Sequence, residues 1–207
     1  MQLLFATTNP HKVDEVRAAM AHGGIDIVGL SELQLATPIP EPAETGVSFE
    51  ENARIKAIAY ARATGRLTLA EDSGLEVDAL GGRPGVHSAR YAGAGMTRAE
   101  RDRANNDKLL REMLDVPDES RTARFVCAMC LAAPDGSILA ESRGIYEGII
   151  AREPLGHNGF GYDPILFLPD AGRTSAELSA AEKNARSHRG MAARRMADAI
   201  REIDIPG

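Results

Sequence analysis

The segment Leu3-Leu4-Phe5-Ala6-Thr7-Thr8-Asn9-Pro10-His11-Lys12-Val13 reads as a short buried strand running into a capped helix. Four consecutive apolar residues form the strand. Asn9 is a good N-cap, and Pro10 at the first helical position has its φ already set and no N–H to waste. Val13, Val16, Ala19 and Met20 then lie on one helical stripe. Gly23-Gly24 stops the helix, and Ile25-Asp26-Ile27-Val28 predicts a second strand. Strand, helix, strand is the opening of an α/β fold.

Further along the chain the same alternation continues. Residues 36–46 hold Pro38, Pro40 and Pro42 and predict an extended loop ending at Gly46. Ser48-Phe49-Glu50-Glu51 is a capping box that starts a helix running to about Ala63 and ending at Gly65. Leu67-Thr68-Leu69-Ala70 predicts a third strand, ending abruptly in Glu71-Asp72-Ser73-Gly74. Leu75 to Ala79 is compatible with a helical turn or a strand, and Gly81-Gly82-Arg83-Pro84-Gly85 predicts a loop. Thr97 caps a charged helix to about Leu114, with Leu109, Leu110 and Leu114 expected inward. Arg121 to Ala133 and Ile138 to Ile150 predict paired strands around Pro134-Asp135-Gly136. Ile165 to Leu168 is another short strand, and Ala192, Met196, Ala199, Ile200 and Ile203 mark one face of a last helix. With no repeat and no dividing linker, residues 1–207 read as a single domain.

Composition narrows the function classes. The chain has 207 residues, 43% of them hydrophobic and 26% charged, which is a globular mix and excludes collagen-like, disordered and coiled-coil classes. Its formal net charge of −6 argues against a stable nucleic-acid partner, while leaving room for a local anion site. The longest apolar run, the nine residues Phe125 to Ala133, is far below a membrane span, and the N-terminus lacks the basic region of a signal peptide. A cytoplasmic protein with no membrane association is expected. Cys127 and Cys130 form a CxxC, but positions i and i+3 of a strand face opposite sides, and no second CxxC completes a zinc site. Buried structural thiols in a reducing compartment are the expectation.

Five stretches have the composition of a binding site. Thr7 to Lys12 places a helix start, with its unpaired N–H groups and positive dipole end, beside a lysine, as phosphate binding requires; an ordinary capped helix start is the alternative. Glu71-Asp72, with Glu41 and Glu44 in the proline-rich loop, supplies oxygen donors of the kind Mg²⁺ uses; a solvated acidic surface and a simple Asp72-Ser73-Gly74 turn are the alternatives. Asn52 and Lys56 share a helix face at i,i+4, which ordinary polar faces also do. Asn158-Gly159-Phe160-Gly161-Tyr162-Asp163-Pro164 interleaves aromatic rings with glycines, as a platform for a planar base or as a satellite core. Lys183-Asn184-Ala185-Arg186-Ser187-His188-Arg189 is a basic run at a helix start in an acidic chain, where the dipole opposes cations unless an anion or keto-bearing ligand joins them. Taken together the set suits a nucleoside triphosphate with Mg²⁺, attacked by water at phosphorus.

The same stretches, with Gly81-Gly82-Arg83-Pro84-Gly85, resemble the inosine triphosphate pyrophosphatase family, whose bacterial members are dITP/XTP pyrophosphatases. The motifs occur in the family's order across almost the whole chain. The resemblance implies an α/β fold with a long central mixed β-sheet flanked by helices and two lobes around a nucleotide-binding cleft. It implies Mg²⁺-dependent hydrolysis of ITP, dITP and XTP to monophosphate and pyrophosphate by a homodimer. Thr7, Thr8, Asn9, Pro10, His11 and Lys12 would hold the triphosphate, and Lys56 would add a second charge. Asp72 would be general base and metal-associated carboxylate, Glu44 (with Glu41 as the alternative) would help hold Mg²⁺, and Ser73 would contact the nucleotide. Phe160 would stack on the purine, with Gly161, Tyr162 and Asp163 lining its pocket, and Lys183, His188 and Arg189 would read the base edge. Thr8 departs from the glycine many members carry.

Overall fold

The computed structural model describes residues 1–33, 39–93 and 97–203. Its order is β1 (Gln2–Phe5), α1 (Pro10–Met20), β2 (Asp26–Gly29), α2 (Phe49–Thr64), β3 (Thr68–Val77), α3 (Arg98–Glu112), β4 (Thr122–Ala132), β5 (Ile138–Ile150), β6 (Leu166–Leu168), β7 (Arg173–Thr174), α4 (Ala180–Arg186) and α5 (His188–Glu202). The seven strands form one sheet in the order β2-β1-β3-β4-β5-β6-β7 among the described residues. β1 pairs parallel with β2 and with β3, whereas β5-β6 and β6-β7 are antiparallel, so the sheet is mixed, as the resemblance implies. Backbone bonds from Ala133 N to Ser137 O and from Ile150 N to Arg121 O close both ends of the β4–β5 hairpin.

The chain divides into two compact units, each assembled from separate stretches. The first comprises Met1–Asp72, Cys127–Gly144 and Ser187–Gly207. Its core joins Leu3 and Phe5 of β1, the α1 stripe Val13, Val16 and Met20, and Ala192, Met196 and Ile200 of α5. Burial of each large apolar side chain there contributes about 1.5–3 kcal/mol. The second unit comprises Ser73–Val126 and Ile145–Arg186, with a core around Leu75, Leu109, Met113, Phe125 and Leu166. Among the described residues no helix is long and apolar enough to cross a membrane.

Two local expectations are corrected, and the basic run is placed. The strand expected to stop at Ala70 continues through Glu71, Asp72, Ser73 and Gly74 to Val77, so this stretch is not a turn and Leu75–Val77 is strand. The reason is partnership: β3 lies between β1 and β4 in the sheet, and both carboxylates find cations inside the first unit. Leu114 is not inward but 71% exposed; α3 ends at Glu112 and Met113 takes the buried position. The basic run 183–189 is two elements, with Lys183 on α4 and His188 and Arg189 opening α5 behind the Ser187 cap. The proline-rich loop is described from Ile39 onward; its residues 36–38 lie outside the described residues.

Candidate active site

The first unit builds a polar site around the β1–α1 turn and the middle of β3. Asn9 Oδ1 accepts the His11 N–H at 3.1 Å and Thr7 Oγ1 accepts the Asn9 N–H at 3.2 Å, which fixes the turn and starts α1 at Pro10. Thr8, Pro10 and His11 are exposed at this helix start. Lys12, in the first turn, sends its ammonium to Glu71 Oε1 at 2.6 Å while its side chain stays 22% exposed.

Asp72 lies next to Glu71 on β3 and meets α2 instead. Asn52 Nδ2 donates to Asp72 Oδ2 at 3.1 Å, and Lys56 Nζ donates to Asp72 Oδ1 at 3.2 Å. The i,i+4 pair on α2 is therefore a buried clamp on one carboxylate, not a solvated face. Lys56 also donates to Glu44 Oε1 at 2.6 Å. The loop bearing Glu44 can approach because Gly46 has no side chain: a Cβ there would stand 2.7 Å from Asn52 Oδ1. Gly46 N–H in turn donates to Asn52 Oδ1 at 2.9 Å. Of the two candidate loop carboxylates, Glu44 joins Asp72 at Lys56, whereas the charge of Glu41 acts on the Tyr60 hydroxyl.

Electrostatics separate the two neighbouring carboxylates. Burial raises the pKa of Asp72, Lys56 counters it, and the nearby Glu44 charge raises it again, leaving it above the usual aspartate value. Burial alone would depress the Lys56 ammonium, but Asp72 and Glu44 outweigh it and its pKa is raised. Burial also opposes the charge of Glu71, yet Arg189 and Lys12 hold its carboxyl well below the ordinary glutamate range. Cys127 Sγ donates to Glu71 Oε2 at 3.0 Å, and burial together with that carboxylate pushes the thiol up. Burial raises Cys130 to about 12. Both thiols are buried and free, in line with the structural reading of the CxxC.

Arg189, at the start of α5, meets two carboxylates of the first unit. Its guanidinium, 1% exposed, donates to Glu71 (Nε to Oε2 at 2.7 Å, Nη2 to Oε1 at 3.2 Å) and pairs with Glu15 at 2.5 Å. The cause is charge balance: a carboxylate as buried as Glu71 costs several kcal/mol unless cations meet it. His188 beside it is buried at the start of α5.

The second unit carries the aromatic loop. Asp163 is buried at its centre, where Oδ2 accepts from Phe160 N at 2.8 Å and from Lys183 Nζ at 2.6 Å, and Oδ1 accepts from Ser175 Oγ at 2.8 Å. Gly159 runs past it at φ +76°, and a Cβ there would collide with the Asp163 carboxylate. The Phe160 ring is half-buried, with Arg98 4.7 Å and Lys183 4.8 Å from its centroid. The Gly161 peptide is held from both sides by α3: its N–H donates to Asp102 Oδ2 at 2.9 Å and its carbonyl accepts from Asn106 Nδ2 at 3.0 Å. Tyr162 is a core residue whose hydroxyl donates to the Ser88 carbonyl at 2.8 Å. Ser73, the first residue of this unit, is half-buried on β3.

Asp102, Asn106 and Arg98 were not singled out as site residues by the sequence. For Asn106 a signal existed: it occupies the stripe of Leu109 and Met113 at helical spacing, and a polar residue on an apolar face has a partner to find. Among the described residues no three His, Cys, Asp or Glu side chains gather as a metal cage.

The sequence profile of the Ham1 family matches residues 3–199. The chain is 51% identical to a dITP/XTP pyrophosphatase of Nitratidesulfovibrio vulgaris, covering 94% of this chain and 93% of that one. It is 48% identical to a dITP/XTP pyrophosphatase of Corynebacterium efficiens, covering 98% and 99%. The solved structure of a HAM1 protein from Coxiella burnetii superposes with a TM-score of 0.85 at 38% identity, covering 98% of this chain and all of that one (100%).

Proposed function

The chain belongs to the Ham1 family, and from that premise we propose that it hydrolyses non-standard purine nucleoside triphosphates such as ITP, dITP and XTP to the monophosphate and pyrophosphate. The observation that carries this reading is Asp72, a buried carboxylate of raised pKa oriented by Asn52 and Lys56, next in sequence to the Glu71 that pairs with Lys12 of the α1 start. Asn9 and Lys12, with the Thr7–His11 turn, are assigned to the phosphates, and Lys56 supplies a second charge there. Asp72 accepts a proton from water as the water oxygen bonds to the α-phosphorus, and the bond to the leaving pyrophosphate breaks. A base with a pKa above the usual aspartate value suits that task.

The donor set fits Mg²⁺ recruited with the substrate. Glu44 and Asp72 share one monovalent ammonium, and two carboxylates completed by waters and phosphate oxygens satisfy this hard cation without an all-protein cage. Glu44 and Asp72 would hold it, and when bound it supplies neutralisation of phosphate charge.

In the second unit, Phe160 is assigned to stack on the purine and Asp163 to set its loop, with Gly161 and Tyr162 shaping the pocket and Ser73 contacting the nucleotide. Lys183, His188 and Arg189 are assigned to the base edge, where donors suit a 6-keto oxygen and clash with the amino group of adenine. For Arg189 this requires exchange of a carboxylate for the base. The resemblance supports a homodimer, and the two unpaired thiols support a cytoplasmic setting.

The test is incubation with ITP, XTP, GTP, ATP and dTTP, with and without Mg²⁺, assaying pyrophosphate and phosphate separately. Mg²⁺-dependent pyrophosphate release confined to ITP and XTP is expected. Phosphate release moves the attack to the γ-phosphorus, and ITP binding without turnover makes the protein a nucleotide sensor.

A further inference from the structure

Glu71 has no part in the proposed hydrolysis, yet three side chains converge on its carboxylate. It is buried in the middle of β3 and accepts from the Lys12 ammonium at 2.6 Å, from Arg189 at 2.7 and 3.2 Å, and from Cys127 Sγ at 3.0 Å. Those donors come from α1, α5 and β4, so one carboxylate fixes side chains from three elements. Two of them are cations already assigned to the nucleotide, and both meet Glu71 Oε1.

A lysine is a compact charge on a flexible four-carbon stem, and unheld it samples many rotamers. With one N–H of Lys12 directed at Glu71, the remaining two have a defined direction from the first turn of α1, beside the turn that Asn9 caps. We propose that Glu71 is a positioning residue of the nucleotide site: it aims Lys12 at the phosphates and ties that lysine to Arg189. This rests on the assignment of Lys12 to the phosphates. Glu71 touches neither substrate nor water in this role and acts through Lys12. Its removal lowers the affinity for triphosphate and leaves the chemical step at Asp72 nearly intact.

The experiment is a double-mutant cycle on ITP hydrolysis using Glu71→Gln, Lys12→Met and the pair, with KM and kcat measured separately. Glu71→Gln is expected to raise KM about tenfold with kcat changed less than about threefold, and Glu71→Asp to recover part of the loss. In the Lys12→Met background Glu71→Gln is expected to change KM no further. Additive effects overturn the role, as does a fall in kcat at unchanged KM. An unchanged KM in Lys12→Met alone overturns the phosphate assignment of Lys12 itself, so the two failures are distinguishable. Should Glu71→Gln not fold, Cys127→Ala removes one donor and keeps the charge; a smaller rise in KM, abolished by Lys12→Met, is expected, and no KM change overturns the proposal.

Discussion

Glu71 and Asp72 are consecutive residues of β3 whose carboxylates belong to separate networks: Glu71 meets Lys12, Arg189 and Cys127, while Asp72 meets Asn52 and Lys56. Successive strand side chains point in different directions, so one step along the backbone changes the bonding partners, while the Glu71 charge still reaches Lys56. The consequence is a division of charge states. Glu71 is held ionised far below the ordinary range, and Asp72 is raised above it. One is a fixed anion and the other is suited to exchange a proton.

Asp72→Asn keeps the shape and the Asn52 contact but removes the base. Pyrophosphate release from ITP is expected to fall on the order of 10²–10⁴-fold, while ITP still binds in a calorimetric titration. Turnover near the wild-type rate would remove Asp72 from the proton transfer.

Lys56→Met tests the electrostatic side of the same residue. Burial raises the Asp72 pKa and Lys56 is the charge that opposes it, so loss of Lys56 raises it further. A base works only when deprotonated. The acid limb of kcat/KM is therefore expected to move to higher pH, and activity lost near neutrality is expected to return in part at alkaline pH. An acid limb that stays in place would assign it to another group.

The α/β class, the Asn9 and Ser48 caps and the buried CxxC were legible because each rests on local chemistry: a cap, a stop or an alternation. β3 was legible only to Ala70. Four polar or small residues, Glu71 to Gly74, look like a turn until the cations that neutralise them are known, and those come from residues 12, 56 and 189. Leu114 misled for a related reason, since the helical stripe continues on paper past the residue where α3 ends. Asn52 and Lys56 showed their spacing, but nothing local says that Asp72 stands between them. Asp102 and Asn106 were silent because their partner is a glycine peptide 59 and 55 residues away.

Glu182 gives a prediction about stability in acid. Its carboxylate accepts from Ser179 N and Oγ at the start of α4 and pairs with Arg173, which lowers its pKa from 4.5 to about 2. A depressed folded-state value stabilises above the unfolded pKa, and that contribution is lost as pH falls from about 4.5 through about 2. Glu182→Gln is expected to lower Tm at pH 7 and to converge with the unsubstituted protein by pH 2. A constant Tm difference across that window would show that the charge contributes nothing.

Asp163→Asn separates positioning of the aromatic loop from the chemistry. Asp163 accepts the Phe160 N–H and balances the buried Lys183 ammonium, so the amide leaves one backbone donor weakly met and one cation uncompensated. Breaking one side of a buried pair costs about 3–5 kcal/mol, or roughly 10 °C in Tm for a chain of this size. The same change frees the Phe160 ring from its anchor while leaving Asn52, Lys56 and Asp72 of the first unit in place. KM for ITP is therefore expected to rise at least about tenfold, with kcat at saturation falling much less, measured below the lowered Tm. An equal loss in kcat with KM unchanged would show that Asp163 serves the reacting end of the nucleotide instead of the loop that carries Phe160.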